Sequence, residues 1–564
     1  MMGGIRNHLT IRRDAPHKTK TRSRTSLLSL GFALAFSVIG VRLVDLGLAN
    51  ADEGSSARLG KLSTAVSRPD IVDRKGRILA TDILTGSLYA NPSRIADIDT
   101  TAEQLASVLK SKNPRTLRKR LAGGGKFLWI ARGLTPRQQA QVHELGLPGL
   151  NFIREPRRVY PAGVTASQIL GHVNVDNRGL AGAESYLDKH TGSLSTARER
   201  NTKKTPVRLA VDLSVQHAVR EELSSAMNRY KAKAAAAIVM DVHTGEIVAL
   251  SSLPDYDPNH REQALKKKRY NRITSGVYEM GSVFKMFTTA GALDAGVTSL
   301  DKGYDARFPL KVASFTINDF HAKRRWLSVP EIFIYSSNIG AAKMALDMGV
   351  TRHRAFLRKL GLLDRMDTDF GPTAAPIVPK TWRPVNTMTV AFGHGLSVTP
   401  LQLAGAAATL VNGGYKVTPS FLRGSREDAQ GNAKRVVKLQ TSDLMRYLFR
   451  LNVQQGSGKR ANAEGYRVGG KTGTAEKVVK GRYSRTALLT SFLGVFPMDA
   501  PEYLVLVVLD EPQRVKETGG SATAGVNAAP TVGRIVERIG PMLSVIPALE
   551  NGKGAIDGVQ SASY

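Results

Sequence analysis

From Ser26 to Leu48 the chain is apolar at almost every position, broken only by Arg42 and Asp45. Its most apolar part, Leu27 to Val41, is short for a membrane span. A helix continued to Leu48 would hold about 23 residues and reach ~34 Å, enough to cross a bilayer. Residues 1–24 carry seven Lys/Arg and one acid, Asp14, a bias that keeps this end cytoplasmic. The pattern predicts a basic tail over 1–24, a single transmembrane anchor over 25–48 and everything after it on the outer side. Ala49-Asn50-Ala51 has the small-x-small form of a cleavage site. About eight residues, Arg42 and Asp45 among them, separate it from Val41, so the expectation is an anchor that is kept.

Beyond the anchor the pattern changes to short periods. Residues 49–205 have their own turns and read as a mixed α/β pedestal domain. From Pro206, VRLAVDLSVQHAVREELSSAM gives a strand and an amphipathic helix. AAAAIVMDV, then His243-Thr244-Gly245, then EIVALSS is a hairpin pattern. TSFLGVFP and EYLVLVVLDEP flank a turn at Pro497 to Pro501 and predict another antiparallel pair. Val532, Ile535, Val536 and Ile539 fall at i, i+3, i+4 and i+7, a helix with one apolar face. Hairpin strands bracketing a helical block predict an α+β domain over 206–549 built on an antiparallel sheet. Residues 550–564, rich in Gly, Ser and Ala, read as a flexible tail.

Three short motifs within that domain name a chemistry. Ser282-Val283-Phe284-Lys285 is Ser-x-x-Lys, Ser336-Ser337-Asn338 is Ser-x-Asn, and Lys471-Thr472-Gly473 is Lys-Thr-Gly. This is the signature set of the penicillin-binding proteins and serine β-lactamases. A Ser-x-x-Lys alone is expected by chance about twice in a chain of this length. Two decoys are present: Ser107 to Lys110, in a polar stretch that reads as an exposed amphipathic helix, and Ser299 to Lys302, in a turn. Neither opens a buried helix.

The residue types fit acyl transfer on physical grounds. An unassisted serine hydroxyl is a weak nucleophile near pH 7 and needs a base within reach. In a helix starting at Ser282, Lys285 lies on the same face. Phe284, Met286, Phe287, Ala290, Ala292 and Leu293 surround that helix with apolar groups, and Gly296 is its stop signal. Burial lowers a lysine pKa, so a neutral amine can take the serine proton. The Ser282 N–H, at the helix start, would face a developing oxyanion. Ser336 and Asn338 suit a loop across the cleft. Lys471 to Thr474 reads as an edge strand whose lysine and two hydroxyls hold a carboxylate, with Gly473 letting the backbone come close to a substrate.

At these residues the sequence resembles the class B penicillin-binding proteins, and within them the division-type peptidoglycan D,D-transpeptidases. The likeness covers nearly the whole chain. It runs through YEMGSVFKMF around Ser282, YSSNIGAAKMA around Asn338, FGHGLSVTPLQLAGAAATLVNGG from Phe392 and VGGKTGTAEK from Val468. RPDIVDRKGRILA from Arg68 and the stretch Arg157 to Glu184 resemble the family's non-catalytic part. The resemblance implies the transpeptidase fold with a dimerisation-type pedestal. It implies Ser282 as the acylated residue, Lys285 as its base, Ser336 as proton shuttle, and the N–H groups of Ser282 and Thr474 as the oxyanion hole. Lys471, Thr472 and Thr474 would bind the substrate's terminal carboxylate and Asn338 a peptide amide. It further implies stem peptides and lipid-linked or nascent glycan strands as substrates, β-lactams as inhibitors, no cofactor, and a SEDS-family glycan polymerase and divisome membrane proteins as partners. Many relatives carry Pro-Gly-Ser-Thr-Phe-Lys-Pro where this chain has Met280 to Met286, a departure that touches no reacting group. An elongation-type transpeptidase, a D,D-carboxypeptidase and a β-lactam-sensing module share the motifs and stay open.

A rival pattern, G-x-x-x-x-G-K-[ST], spans Gly465 to Thr472. A phosphate loop should follow an apolar strand and open a helix, whereas Gln454 to Glu464 is polar and Gly473 is a poor helix continuation. His143-Glu144 lacks the second histidine of a zinc helix, and with no cysteine in the chain a metal is not expected. The formal charge is +33, from 80 basic and 47 acidic residues. An anchor places most of it outside, away from nucleic acid, and gives the tail anionic lipid as a partner. The clusters Lys266 to Arg269 and Lys323 to Arg325 precede the first two motifs and are candidates for attracting the carboxylates of cell-wall peptides.

Overall fold

The computed structural model describes residues 29–44, 67–191, 205–312, 315–431 and 433–548. Residues 29–44 are helical and exposed along their length. No helix among the described residues is long and apolar enough to cross a membrane. Residues 25–28 and 45–48 of the expected span, the basic tail and the Gly/Ser-rich tail lie outside the described residues.

The described chain forms two compact units, Thr85–Glu155 in one, Val66–Leu84 and the residues from Pro156 onward in the other. In the first, helices Ile98–Val108, Pro114–Ala122 and Pro136–Glu144 bury Leu105, Leu117, Leu121 and Val142 with Ile130 of a strand. The expected single helix around Ser107 is two helices. Pro114 fits only the first turn of a helix, and Asn113 caps that turn by accepting from Arg115 N–H at 2.9 Å. In the second unit a buried charge network joins Arg158 to Glu184 (2.7 Å) and Asp82 (3.3 Å), and Arg68 to Glu184 (2.9 Å).

The strands, in chain order, are β1 (Ile71–Val72), β2 (Ile78–Ala90), β3 (Leu128–Leu134), β4 (Leu150–Val159), β5 (Val207–Arg208), β6 (Ala234–Asp241), β7 (Ile247–Leu253), β8 (Gly303–Asp305), β9 (Leu310–Val312), β10 (Phe315–Ile317), β11 (Trp326–Ser328), β12 (Asp367–Thr368), β13 (Gly371–Pro372), β14 (Gly469–Val479), β15 (Arg482–Phe496) and β16 (Tyr503–Asp510). The catalytic sheet is antiparallel with order β14-β15-β16-β6-β7. Both expected hairpins are present, β6 with β7 and β15 with β16. Period-2 alternation serves both faces. Ala236, Ile238, Met240, Leu504, Leu506 and Val508 face one core, with Phe284, Phe287 and Phe449. Ala235, Ala237, Val239, Val505, Val507 and Leu509 face the other, against helices Leu213–Arg229 and Ala528–Met542. On the last helix Val532, Ile535, Val536 and Ile539 have no exposed surface, each worth about 1.5–3 kcal/mol of burial. The expected α+β architecture is present, with β14 left on the sheet edge.

Candidate active site

Ser282 lies in a 3-10 turn, Gly281–Phe284, that leads directly into helix Lys285–Asp294. The sequence predicted an α-helix from Ser282 onward; the first turn is instead 3-10 and is closely packed on both sides. Gly281 has φ +58, and a Cβ there would lie 2.6 Å from the carbonyl oxygen of Thr474. A Cβ on Gly393 (φ +87) would lie 2.0 Å from the carbonyl oxygen of Gly281. Glycine at both positions lets strand β14 and the 392–395 loop close on the nucleophile turn. Gly473 belongs to the same packing: its Cβ would meet Met280 O at 2.5 Å and Val283 Cγ2 at 2.5 Å. Gly473 thus also lets the strand pack closely on this turn, a contact the sequence reading did not include.

The i, i+3 spacing survives the tighter turn, and Lys285 Nζ is 2.9 Å from Ser282 Oγ. Nζ–H groups also donate to the Ser336 carbonyl and to Ser336 Oγ at 3.1 Å. A neutral amine has two hydrogens and one lone pair. With the hydrogens directed at Ser336, the lone pair is left for the Ser282 proton. Lys285 is 1% exposed. Burial holds its pKa well below the ordinary lysine value, the charge of Lys471 lowers it further, and Asp319 opposes both.

Ser336 ends helix Val329–Tyr335 in the left-handed region (φ 60, ψ 44), and Ser337 immediately caps the next helix, Asn338–Met348, by accepting from Gly340 N–H. A serine rarely adopts this conformation. Here it turns the hydroxyl between two amines, since Lys471 Nζ donates to Ser336 Oγ at 3.0 Å. Lys471 is wholly buried in β14, 5.7 Å from the centre of the Phe333 ring, and burial lowers its pKa to about 7. Its strand setting also disposes of the phosphate-loop pattern, because Gly469 to Thr474 is paired β-strand, register Lys471 to Leu493 and Thr474 to Thr490.

Thr472 Oγ1 is 2.6 Å from Ser457 Oγ, and Thr474 Oγ1 accepts from Ala524 N–H at 3.1 Å. Asn338 Nδ2 donates to the Asn318 carbonyl at 2.8 Å. The structure thus brings Ser282, Lys285, Ser336, Asn338, Lys471, Thr472, Gly473 and Thr474 into one neighbourhood. The decoys stay apart from it. Ser107 Oγ donates to Gln104 O on an exposed helix, and Lys302 donates to Val297 O and Asp347 rather than to Ser299.

Sequence reasoning missed several supporting residues. The Asp319 carboxylate accepts from Ser337 Oγ (2.7 Å), Asn338 N–H (2.6 Å) and Ile339 N–H (3.0 Å), fixing the helix start that carries Asn338. Buried Asn452 donates to Gly470 O at 2.7 Å and accepts from Ser457 Oγ at 3.2 Å, which holds β14 from behind. Glu279 accepts from Gly395 N–H at 2.8 Å and from the Tyr483 hydroxyl at 3.0 Å, tying the segment before Ser282 to the β14–β15 hairpin. None of these carries a spacing signal; at most Asp319 is an acid in a strongly basic stretch.

A buried lysine within reach of a serine hydroxyl, a second serine hydroxyl at a helix end and an edge-strand lysine converging on it are the arrangement a serine acyltransferase needs. Comparison with known proteins agrees. Residues 235–537 match the family described as the penicillin-binding protein transpeptidase domain, and residues 63–195 match the penicillin-binding protein dimerisation domain. The chain belongs to the penicillin-binding protein transpeptidases. It is similar to the probable peptidoglycan D,D-transpeptidase FtsI of Caulobacter vibrioides, 38% identical over 85% of this chain and 82% of that one. It is also similar to the probable peptidoglycan D,D-transpeptidase PenA of Neisseria gonorrhoeae (30%, 92% of each chain) and to the peptidoglycan D,D-transpeptidase FtsI of Escherichia coli (28%, 92% of each chain).

Proposed function

We propose that the chain is a peptidoglycan D,D-transpeptidase that cross-links stem peptides through an acyl-serine at Ser282, and that it serves septal wall synthesis in cell division. The observation that carries the reading is the Ser336 hydroxyl held between Lys285 and Lys471, at 3.1 and 3.0 Å. Ser282 Oγ attacks the penultimate D-Ala carbonyl of the donor while Lys285 Nζ takes its proton. The N–H groups of Ser282 and Thr474 receive the oxyanion. The proton then passes through Ser336 Oγ to the departing D-Ala nitrogen, and the C–N bond breaks. Lys471, Thr472 and Thr474 hold the terminal carboxylate, and Asn338 the donor's peptide amide. An acceptor amine reverses these steps and frees Ser282.

The apolar run over 25–48 and the basic tail before it support a single-pass inner-membrane protein with its catalytic part periplasmic. The division-type resemblance supports a SEDS-family polymerase and divisome membrane proteins as partners. With a D-Ala-D-Ala pentapeptide donor and an amine acceptor, the full chain should release D-Ala and form the cross-linked product together. Ser282→Ala should abolish both, and turnover surviving that change would refute the reading.

A further inference from the structure

The turn from Asn318 to Arg325 is fastened to the Ser336 motif at three points, the first being the Asn318 carbonyl, which accepts from Asn338 Nδ2 at 2.8 Å. Asp319 binds Ser337 and the start of the Asn338–Met348 helix, and Lys323 Nζ sits 4.5 Å from the centre of the Tyr335 ring. Around these ties the turn presents groups with no structural use. Phe320 is 80% exposed, touching only the ring of His321 edge-on at 4.8 Å among the ring contacts described. Arg325 is spent on Glu331 at 2.6 Å. Arg324 is exposed, makes no ion pair among the described residues, and takes φ +54, a conformation unfavourable for a side chain of its size. Strain of this kind persists where something over-determines it and gathers at functional sites.

We propose that Phe320 and Arg324 form the docking subsite for the acceptor stem peptide, an anionic peptide amine. The inference rests on Ser282 as the acylated residue and on Ser336 as the proton relay. By microscopic reversibility, the group that delivers a proton to the leaving amine also takes one from the incoming amine. The acceptor nitrogen therefore takes the place that the D-Ala nitrogen leaves at Ser336, between Lys471 of β14 and the helix start that the 318–325 turn holds through Asp319. In the transfer the nitrogen–carbonyl bond forms and the bond from carbonyl carbon to Ser282 Oγ breaks. The amine's proton passes through Ser336 Oγ to Lys285 and so to Ser282 Oγ. The rest of the acceptor then lies along the turn, its carboxylates toward Arg324 and its apolar surface on Phe320.

The prediction separates transfer from hydrolysis. The full chain is supplied with a D-Ala-D-Ala donor and one of two acceptors, an uncharged amine or a tripeptide amine bearing two carboxylates, and the ratio of aminolysis to hydrolysis is read. Arg324→Ala should lower that ratio about three- to tenfold for the charged acceptor, the scale of one partly exposed charged contact, and less for the uncharged one, and Phe320→Ala should lower it for the tripeptide and less for a small uncharged amine such as methylamine, which has no apolar surface to lay on the ring. Arg324→Lys should restore most of it, and acylation by penicillin should stay unchanged in all three. An unaltered ratio, an equal loss with both acceptors, or a parallel loss of penicillin acylation would overturn the proposal. Failure of Ser282 itself would show differently, as absent acylation in the unmodified chain.

Discussion

Two lysines with almost no exposed surface converge on one serine hydroxyl, and they cannot play the same part. Lys285 is lowered by burial and by the neighbouring charge, so it is the one that works neutral. Lys471, lowered to about 7 by burial, is charged below that pH and loses the charge above it. A carboxylate bound beside it would favour the charged form. For a carboxylate-bearing β-lactam, the second-order acylation constant should therefore fall on the alkaline side with a midpoint near 7, the free-enzyme value. Lys471→Arg, always charged, should remove that limb, and a fall of the same midpoint in the arginine variant would reassign it. Lys471→Ala should slow acylation about 10- to 150-fold, the worth of one charged contact at 1.5–3 kcal/mol, and nucleotide should not bind. The residues proposed to react were legible as candidates in the sequence because each sits in a motif of fixed spacing. Asp319, Asn452 and Glu279 were not, since their contacts to Ser337, Gly470, Gly395 and Tyr483 span 18, 18, 116 and 204 positions of chain, where no local pattern records the contact.

Helices and strands with a clear period were found where apolar spacing predicted them, as with the β6–β7 hairpin and the last helix. The period does not hold at the Ser282 turn, which is 3-10 where the spacing reads as α-helix and is packed closely by Thr474 and Gly393. Helix Val350–Lys359 hides a different feature, invisible to periodicity. His353 is fully buried against Trp382, and neither ring nitrogen has a hydrogen-bond partner among the described residues. Burial lowers its pKa to about 4. Because the unfolded chain takes up this proton first, near the ordinary value of about 6.5, stability is full above that pH and is lost as pH falls to about 4. The loss amounts to about 3 kcal/mol at 1.36 kcal/mol per unit. Urea melts at pH 7.5 and 4.5 should show a steeper decline for the native chain than for His353→Phe. Equal declines would mean the imidazole is not the group responsible.

The whole molecule depends on a pairing that no stretch of sequence announces. β6 (234–241) lies beside β16 (503–510), which joins the start of the catalytic domain to its end and leaves β14 free at the edge next to Ser282. Long-range closure of this kind is set by which apolar faces fit, not by local propensity. At the same scale, the anchor proposed over 25–48 predicts that a reporter fused after Tyr564 is active outside the cytoplasm and that the mature chain keeps residues before Ala49. An N-terminus at Asp52 would show cleavage instead. The most direct test of the central claim is to label the full chain with penicillin, digest it and map the adduct by mass spectrometry. The adduct is predicted on the peptide carrying Ser282, with Ser282→Ala unlabelled and Ser107→Ala and Ser299→Ala labelled as before. An adduct on any other serine, or labelling that survives Ser282→Ala, would contradict the account.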